Sequence, residues 1–212
     1  MRIQGYRTRL TTGILERTRI PRRFWETKYD NVPESVHGYL GNYLRALDEM
    51  VDGGEGLLLW GPNGVGKTSV AALVAFELSR RGGTAYFVTA ESLRIASIEK
   101  TWFDDETTVM ERAQEVELLI IDDLGKEHRS ESAYAERLIE NLLRVRLANK
   151  RSTIITTNLP LVGNREKRVA GLNTVYSTSM LEVLREATLP LEVTGKNQRL
   201  TAAAHLQERL AV

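Results

Sequence analysis

Gly61-Pro62-Asn63-Gly64-Val65-Gly66-Lys67-Thr68 reads G-x-x-x-x-G-K-T, a spacing whose parts all serve to hold phosphate groups. The glycines let the backbone curl until several N–H groups point inward at anionic oxygens. Lys67 is placed to reach the β- and γ-phosphates of a nucleotide, and the Thr68 hydroxyl to help hold Mg2+. Ser69 completes the nucleotide-contacting set. Leu57-Leu58-Leu59-Trp60, just upstream, suits a buried strand, while Val70, Leu73, Val74 and Leu78 fall at helical spacing just downstream. The loop is therefore expected between a strand and a helix whose N-terminal end adds positive potential. The Lys67 ammonium is expected at an exposed loop, as a phosphate partner rather than a core group.

A second set lies downstream. Asp122 and Asp123 follow the apolar run Leu118-Leu119-Ile120-Ile121, which puts two carboxylates at the carboxyl end of a strand buried on both faces. Asp122 is suited to hold Mg2+, directly or through water. Asp123 is suited to orient or deprotonate an attacking water. Asn158 closes Thr156-Thr157-Asn158-Leu159 at the end of the next strand, where an amide can hydrogen-bond both the γ-phosphate and that water.

These groups need a scaffold that brings several strand ends together. Tyr39, Tyr43, Leu47 and Met50 predict one amphipathic helix ending near Asp52-Gly53-Gly54, ahead of the first strand. The helix after the phosphate loop runs to about Arg81. Ala85–Thr89 reads as the second strand, and residues 91–116 as mostly helical. The third strand is Leu118–Ile121, followed by a helix from about Ser132 to Asn149 and a fourth strand, Thr153–Thr156. Residues 160–175 are irregular. A short helix carries Met180, Leu181 and Leu184, Leu191–Thr194 reads as the fifth strand, and Thr201–Leu210 as a closing helix. Alternating strands and helices predict a parallel α/β sheet of five strands covered on both faces, with ligands at the carboxyl ends of the strands.

The composition, 42% apolar and 27% charged over 212 residues, allows one sizeable core. No apolar run approaches the roughly 18 residues of a membrane span, and the N-terminus lacks the apolar stretch of a signal peptide. With no cysteine there is neither a disulfide nor a thiolate metal site, and the cytoplasm is the expected compartment. Residues 1–28 carry +6 of charge in a chain whose total is +1, leaving −5 for the rest. Such a basic arm fits an acidic partner, nucleic acid or protein, or a solubilising tail. Residues 1–20 show no clear period and are expected to be mobile at the start.

Taken together, the phosphate loop, the Leu-Leu-Ile-Ile-Asp-Asp-Leu-Gly block and the Thr-Thr-Asn-Leu block resemble AAA+ ATPases of the DnaC/IstB-type group, the replicative-helicase loaders and transposition helper ATPases. Ile20-Pro21-Arg22-Arg23-Phe24 is similar to the segment leading into their ATPase domain, and Gly195-Lys196-Asn197-Gln198-Arg199 to a block near its end. The resemblance implies an AAA+-type P-loop fold over residues 20–212, with a basic arm over residues 1–19 and a reduced C-terminal lid. It implies ATP and Mg2+ as ligands, Asp122 as the metal residue, Asp123 as the catalytic carboxylate, Asn158 as a sensor, and Arg199 as a possible γ-phosphate sensor. It also implies assembly side by side on single-stranded DNA, with a replicative helicase or a transposase as partner. The longer partner-binding domain of the loaders is matched here by only about 20 residues. The arginine that family members supply to a neighbour's ATP falls at Val183 by spacing, which leaves Arg185 and then Arg168 as the nearby cations.

The leading expectation is a DNA-dependent ATPase that loads or remodels a replication protein. The alternative is an ATP-switched adaptor or transposition helper with little turnover. A small-molecule kinase is third, because no lid-like arginine cluster is present and the Asp122-Asp123-Asn158 set suits attack by water. Arg94, Lys100, Trp102 and Phe103 place cations and aromatic rings close together, as a single-strand binder would; the two rings fit a core position equally well.

Overall fold

The computed structural model describes residues 9–98, 107–126, 132–164 and 166–198. Among these, five strands form one all-parallel sheet: β1 Gly56–Trp60, β2 Ala85–Thr89, β3 Leu118–Leu124, β4 Ser152–Thr157 and β5 Thr188–Glu192, in the order β2-β3-β4-β1-β5. Each strand is joined to the next through helical segments, as parallel pairing requires. The P-loop α/β fold expected from the motifs is the fold observed.

Period-two alternation along the strands divides the core. Leu57, Leu59, Phe87, Leu118, Ile120 and Ile154 point to one face, where they meet α2 (His37–Arg45), α3 (Leu47–Gly53) and α4 (Lys67–Arg80). Leu58, Tyr86, Leu119, Ile121 and Ile155 point to the other, against α5 (Ala90–Ile98), α6 (Thr107–Glu115), α7 (Ser132–Ala148), α8 (Leu172–Val175) and α9 (Thr178–Ala187). Buried residues run almost without interruption along α4, because the sheet lies on one side of it and the N-terminal segment on the other. That is why the helix carrying the phosphate loop reads as apolar all round rather than amphipathic.

Three local readings change. The single helix expected over Tyr39–Met50 is two, broken at Ala46, where ψ reaches 15°; Tyr43 and Leu47 are buried while Tyr39 is exposed. The fifth strand starts at Thr188 rather than Leu191. Pro190 lies inside it, and because β5 is at the sheet edge and pairs only with β1, a missing N–H is tolerated. The N-terminal segment, in which no period pointed to an element, contains a helix, α1 (Thr12–Arg17), capped by the Thr11 hydroxyl. It leads to Thr18 and Ile20, both buried. The Thr18 carbonyl accepts a hydrogen bond from Phe87 N at 2.8 Å on β2, at the opposite sheet edge from β5, and so covers part of that edge. Residues 1–8 and the helix expected over 201–210 lie outside the described residues. No helix among the described residues is long and apolar enough to cross a membrane.

Candidate functional site

The phosphate loop joins the end of β1 to the start of α4, and its course depends on glycine at two close approaches. Gly61 has φ 144°, and a Cβ there would lie 2.2 Å from the Val193 carbonyl oxygen. Gly64 has φ 78°, and a Cβ there would lie 2.1 Å from Asn197 Oδ1. Lys67 opens α4. Its ammonium donates to the carbonyls of Gly61 (2.8 Å) and Pro62 (2.7 Å) and to Asn158 Oδ1 (2.7 Å). The residue is only 6% exposed, so it is not the open-loop cation the sequence suggested. Folded back on these oxygens, the ammonium keeps its hydrogen bonds while it leaves water.

The two carboxylates are separated by a β-bulge. Ile121 pairs with Ile155 and Leu124 with Thr157, so Asp122 and Asp123 together face Thr156 alone. Asp123 takes φ 62°, a left-handed conformation uncommon for a residue with a Cβ. In a regular strand these consecutive side chains would point to opposite faces. The bulge instead leaves Asp122 buried beside Thr68 and puts Asp123 in the wall of the cavity. Thr156 holds both: its hydroxyl donates to Asp122 Oδ1 at 2.6 Å and accepts from Asp123 N at 3.0 Å. The Thr68 hydroxyl donates to the same Asp122 oxygen at 2.9 Å. Burial pushes the Asp122 carboxyl above its ordinary value and Asp123 adds to that, while the hydrogen bonds from Thr156 and Thr68 pull the other way. Asp123 also pairs with Lys126 at 2.8 Å across a partly exposed surface.

These groups border a cavity of about 660 Å³. Lys67, Thr68, Ser69, Asn63, Asp123 and Asn158 line one side of it. The opposite wall comes from Arg23, Phe24, Glu26, Thr27 and Asn31 in the segment before α2, with Gln198 from beyond β5. The segment after β5 is tied to the loop, and the segment before α2 is tied to it in turn. Gln198 N donates to the Gly64 carbonyl at 2.9 Å, and the Ser35 hydroxyl bonds the Thr194 backbone on both sides, at 2.9 and 3.1 Å.

The structure thus gathers Lys67, Thr68, Asp122, Asp123 and Asn158 at one place. Arg185 is not among them: it is exposed in the last turn of α9, just ahead of Thr188, which pairs with Gly56 at the start of β1. The phosphate loop follows the other end of β1. Arg168 is exposed, at φ 51°, in the turn bracketed by the Asn164–Val169 bridge after β4. Val183, at the family's arginine position, is core. Arg199 lies outside the described residues, as do Lys100, Trp102 and Phe103. Arg94 is half-buried and held by Glu91 through bonds of 3.0 and 2.6 Å.

Sequence reasoning missed Thr156, Lys126 and the wall from Arg23 to Asn31. The signal for Thr156 was present: the Thr-Thr-Asn-Leu block was read for its amide, although a hydroxyl two residues earlier can serve the neighbouring strand's carboxylates.

Thr68 and Asp122 offer oxygen donors only, which suits a hard divalent cation completed by phosphate oxygens and water. Among the described residues no three His, Cys, Asp or Glu side chains come together as a self-sufficient metal cage.

Comparison with known proteins agrees with this geometry. The family model described as IstB-like ATP binding protein matches residues 33–205. An insertion sequence IS21-like ATP-binding protein of Bacteroides fragilis is 29% identical over 163 residues, 75% of this chain and 59% of that protein. An insertion sequence IS1162 ATP-binding protein of Pseudomonas fluorescens is 34% identical over 110 residues, 49% and 44% of the two chains. The chain therefore spans about half the length of these curated relatives. Among solved structures, a DnaC helicase loader superposes with a TM-score of 0.65 at 23% identity, covering 82% of this chain and 100% of that one. DnaI gives 0.63 at 23% identity, covering 84% and 93%. At that identity the likeness speaks for the fold, whereas the family match covers most of the sequence, with the phosphate loop, the aspartate pair and Asn158 all inside it: the chain belongs to the IstB-like ATP-binding proteins.

Proposed function

We propose that this chain binds and hydrolyses ATP with Mg2+, and uses the cycle to act on DNA together with a second protein. The observation that carries the reading is the bulge at Asp122-Asp123. It separates two adjacent carboxylates into a buried one bonded to Thr68 and an open one in the cavity wall. A metal site and a general base need that division. Thr68 and Asp122 would hold the Mg2+, which when bound neutralises phosphate charge. Lys67 exchanges its carbonyl partners for phosphate oxygens. Asp123 orients a water and takes its proton. Asn158, freed from Lys67, has its amide available to the same water and to the γ-phosphate. Arg185 or Arg168 of a neighbouring subunit, and Arg199, are the cations proposed to meet the charge that develops there.

The sequence alone ranks helicase loading first. The IstB-like family match, and relatives named for insertion sequences, favour the transposition-helper reading of the partner. Single-stranded DNA, a transposase or replicative helicase, and further copies of this chain in the cytoplasm are the surroundings this reading implies. Phosphate release with and without single-stranded DNA tests it. A DNA-stimulated rate is the expected result; ATP binding with no turnover under either condition would replace the ATPase by a switched adaptor. Phosphate transfer to a nucleoside would replace both.

A further inference from the structure

A second cleft, of about 400 Å³, opens beside the nucleotide cavity on the α4 face, and Thr27 lines both. Lys28, Arg45, Arg80 and Arg81 border it, with Glu77 as its one carboxylate. Two of these cations are structural. Arg81 bonds Glu77 (3.4 Å), Asp48 (3.0 Å) and the Leu44 carbonyl (2.7 Å), and Arg80 lies 3.5 Å from Glu77. They form a floor whose charge is balanced in place. Lys28 and Arg45 are exposed on the rim and pair with no carboxylate among the described residues; Arg45 reaches only the Asn42 amide oxygen. Arg23, exposed at the mouth of the nucleotide cavity, extends the positive strip from Lys28 past Thr27.

We propose that this cleft is a contact for the phosphate backbone of DNA. The proposal rests on the reading that the chain acts on DNA, and adds where the backbone is held. An acidic protein surface fits less well. Such an interface needs an apolar centre, but of the apolar lining Leu73 is buried, Leu44 is half-buried, and the Tyr29 ring lies tilted against His37, 4.8 Å between centroids, with its hydroxyl donating to the His37 carbonyl. A polyanion needs only mobile cations over a basic floor. Among the described residues that line the cleft there is no free ring and no side-chain amide, so the contact carries charge without reading bases. It also supplies what the helix after β2 lacks in this structure, where Arg94 is neutralised by Glu91.

The test is fluorescence anisotropy with a labelled oligothymidine and a labelled duplex, titrated between about 50 and about 200 mM salt. The proteins are wild type, Lys28→Ala/Arg45→Ala, the charge-preserving Lys28→Arg/Arg45→Lys, and Arg94→Ala. Both rim residues are exposed, so unchanged melting and unchanged ATP affinity serve as controls. The alanine pair is expected to bind single strands roughly tenfold more weakly at low salt, with the slope of log K against log salt reduced by about 1.4, the value for two phosphate contacts. The charge-preserving pair is expected to bind like wild type. Wild-type affinity and slope in the alanine pair, with DNA binding otherwise intact, would overturn the cleft and leave the DNA-acting reading standing. Failure of the wild type to bind either oligonucleotide would overturn both.

Discussion

Thr156 does at the scale of one side chain what the sequence motifs do not announce. Asp123 sits in a backbone conformation that costs about 1 kcal/mol or more, and Thr156 is the group that receives its N–H while donating to Asp122. Thr156→Val keeps the volume and removes both bonds. It should cost about 1–2 kcal/mol of stability and lower the ATP hydrolysis rate by at least about tenfold, because Asp123 loses its fixed position. Chemical denaturation and phosphate release read the two effects separately. Asp122→Asn has another signature. Burial disfavours the charged carboxylate, so the neutral amide should melt at or above wild type without nucleotide. It should lose the gain in ATP affinity that Mg2+ gives, while binding in EDTA is unchanged. A variant that responds to Mg2+ as wild type does would remove Asp122 from the metal site. The two aspartates were legible in the sequence as a pair at a strand end. Their division of labour was not, because it depends on a hydroxyl thirty-odd residues away and on a register shift that no periodicity records.

Among elements, the strongest tie away from the nucleotide is Arg146 on α7. It is fully buried, and its partners among the described residues are a hydroxyl and backbone carbonyls. Its guanidinium donates to Thr153 Oγ1 (2.9 Å) and to the carbonyls of Ala113 (2.6 Å), Val116 (3.0 Å) and Ser152, joining α6, α7 and the start of β4. Burial, and then Arg151, push it down to about 9, so it remains charged at neutral pH. Arg146→Ala should cost about 3 kcal/mol or more, since several carbonyls lose their donor together. Lysine, with three donors and no planar fork, should not rescue it. Thermal melts that match wild type would contradict this role. Elements with one strong signal were readable: α4 from its loop, β1 and β3 from their apolar runs. The errors came where no such signal marked a boundary. The expected fifth strand began at Leu191, three residues late, because Thr188-Leu189-Pro190 has no apolar alternation to mark it and only the pairing with β1 shows it as strand. Helical spacing across Ala46 merged α2 and α3 because both bury the same face.

For the whole molecule, roughly 13 Å of β1 separates the Arg185 end of the sheet from the phosphate loop. At that distance Arg185 does not reach its own nucleotide, and the trans role proposed for it above is open to direct test. Lys67→Ala and Arg185→Ala proteins should each be inactive alone, and a mixture should regain part of the rate, because some interfaces then pair an intact loop with an intact arginine. A mixture that stays inactive would assign the trans cation to Arg168 or remove it. The charge asymmetry was visible in the sequence, but the packing of its described part was not: Thr18 bonds β2, and residues between Arg23 and Asn31 build a wall of the nucleotide cavity. The role proposed for Asp123, turned into that cavity by the bulge, is to activate the water that hydrolyses ATP. Asp123→Asn, assayed for Mg·ATP affinity and for single-turnover hydrolysis in the same preparation with Lys67→Ala as the non-binding control, tests it most directly. The prediction is wild-type affinity with hydrolysis reduced at least about a hundredfold; wild-type affinity with a wild-type rate would contradict it.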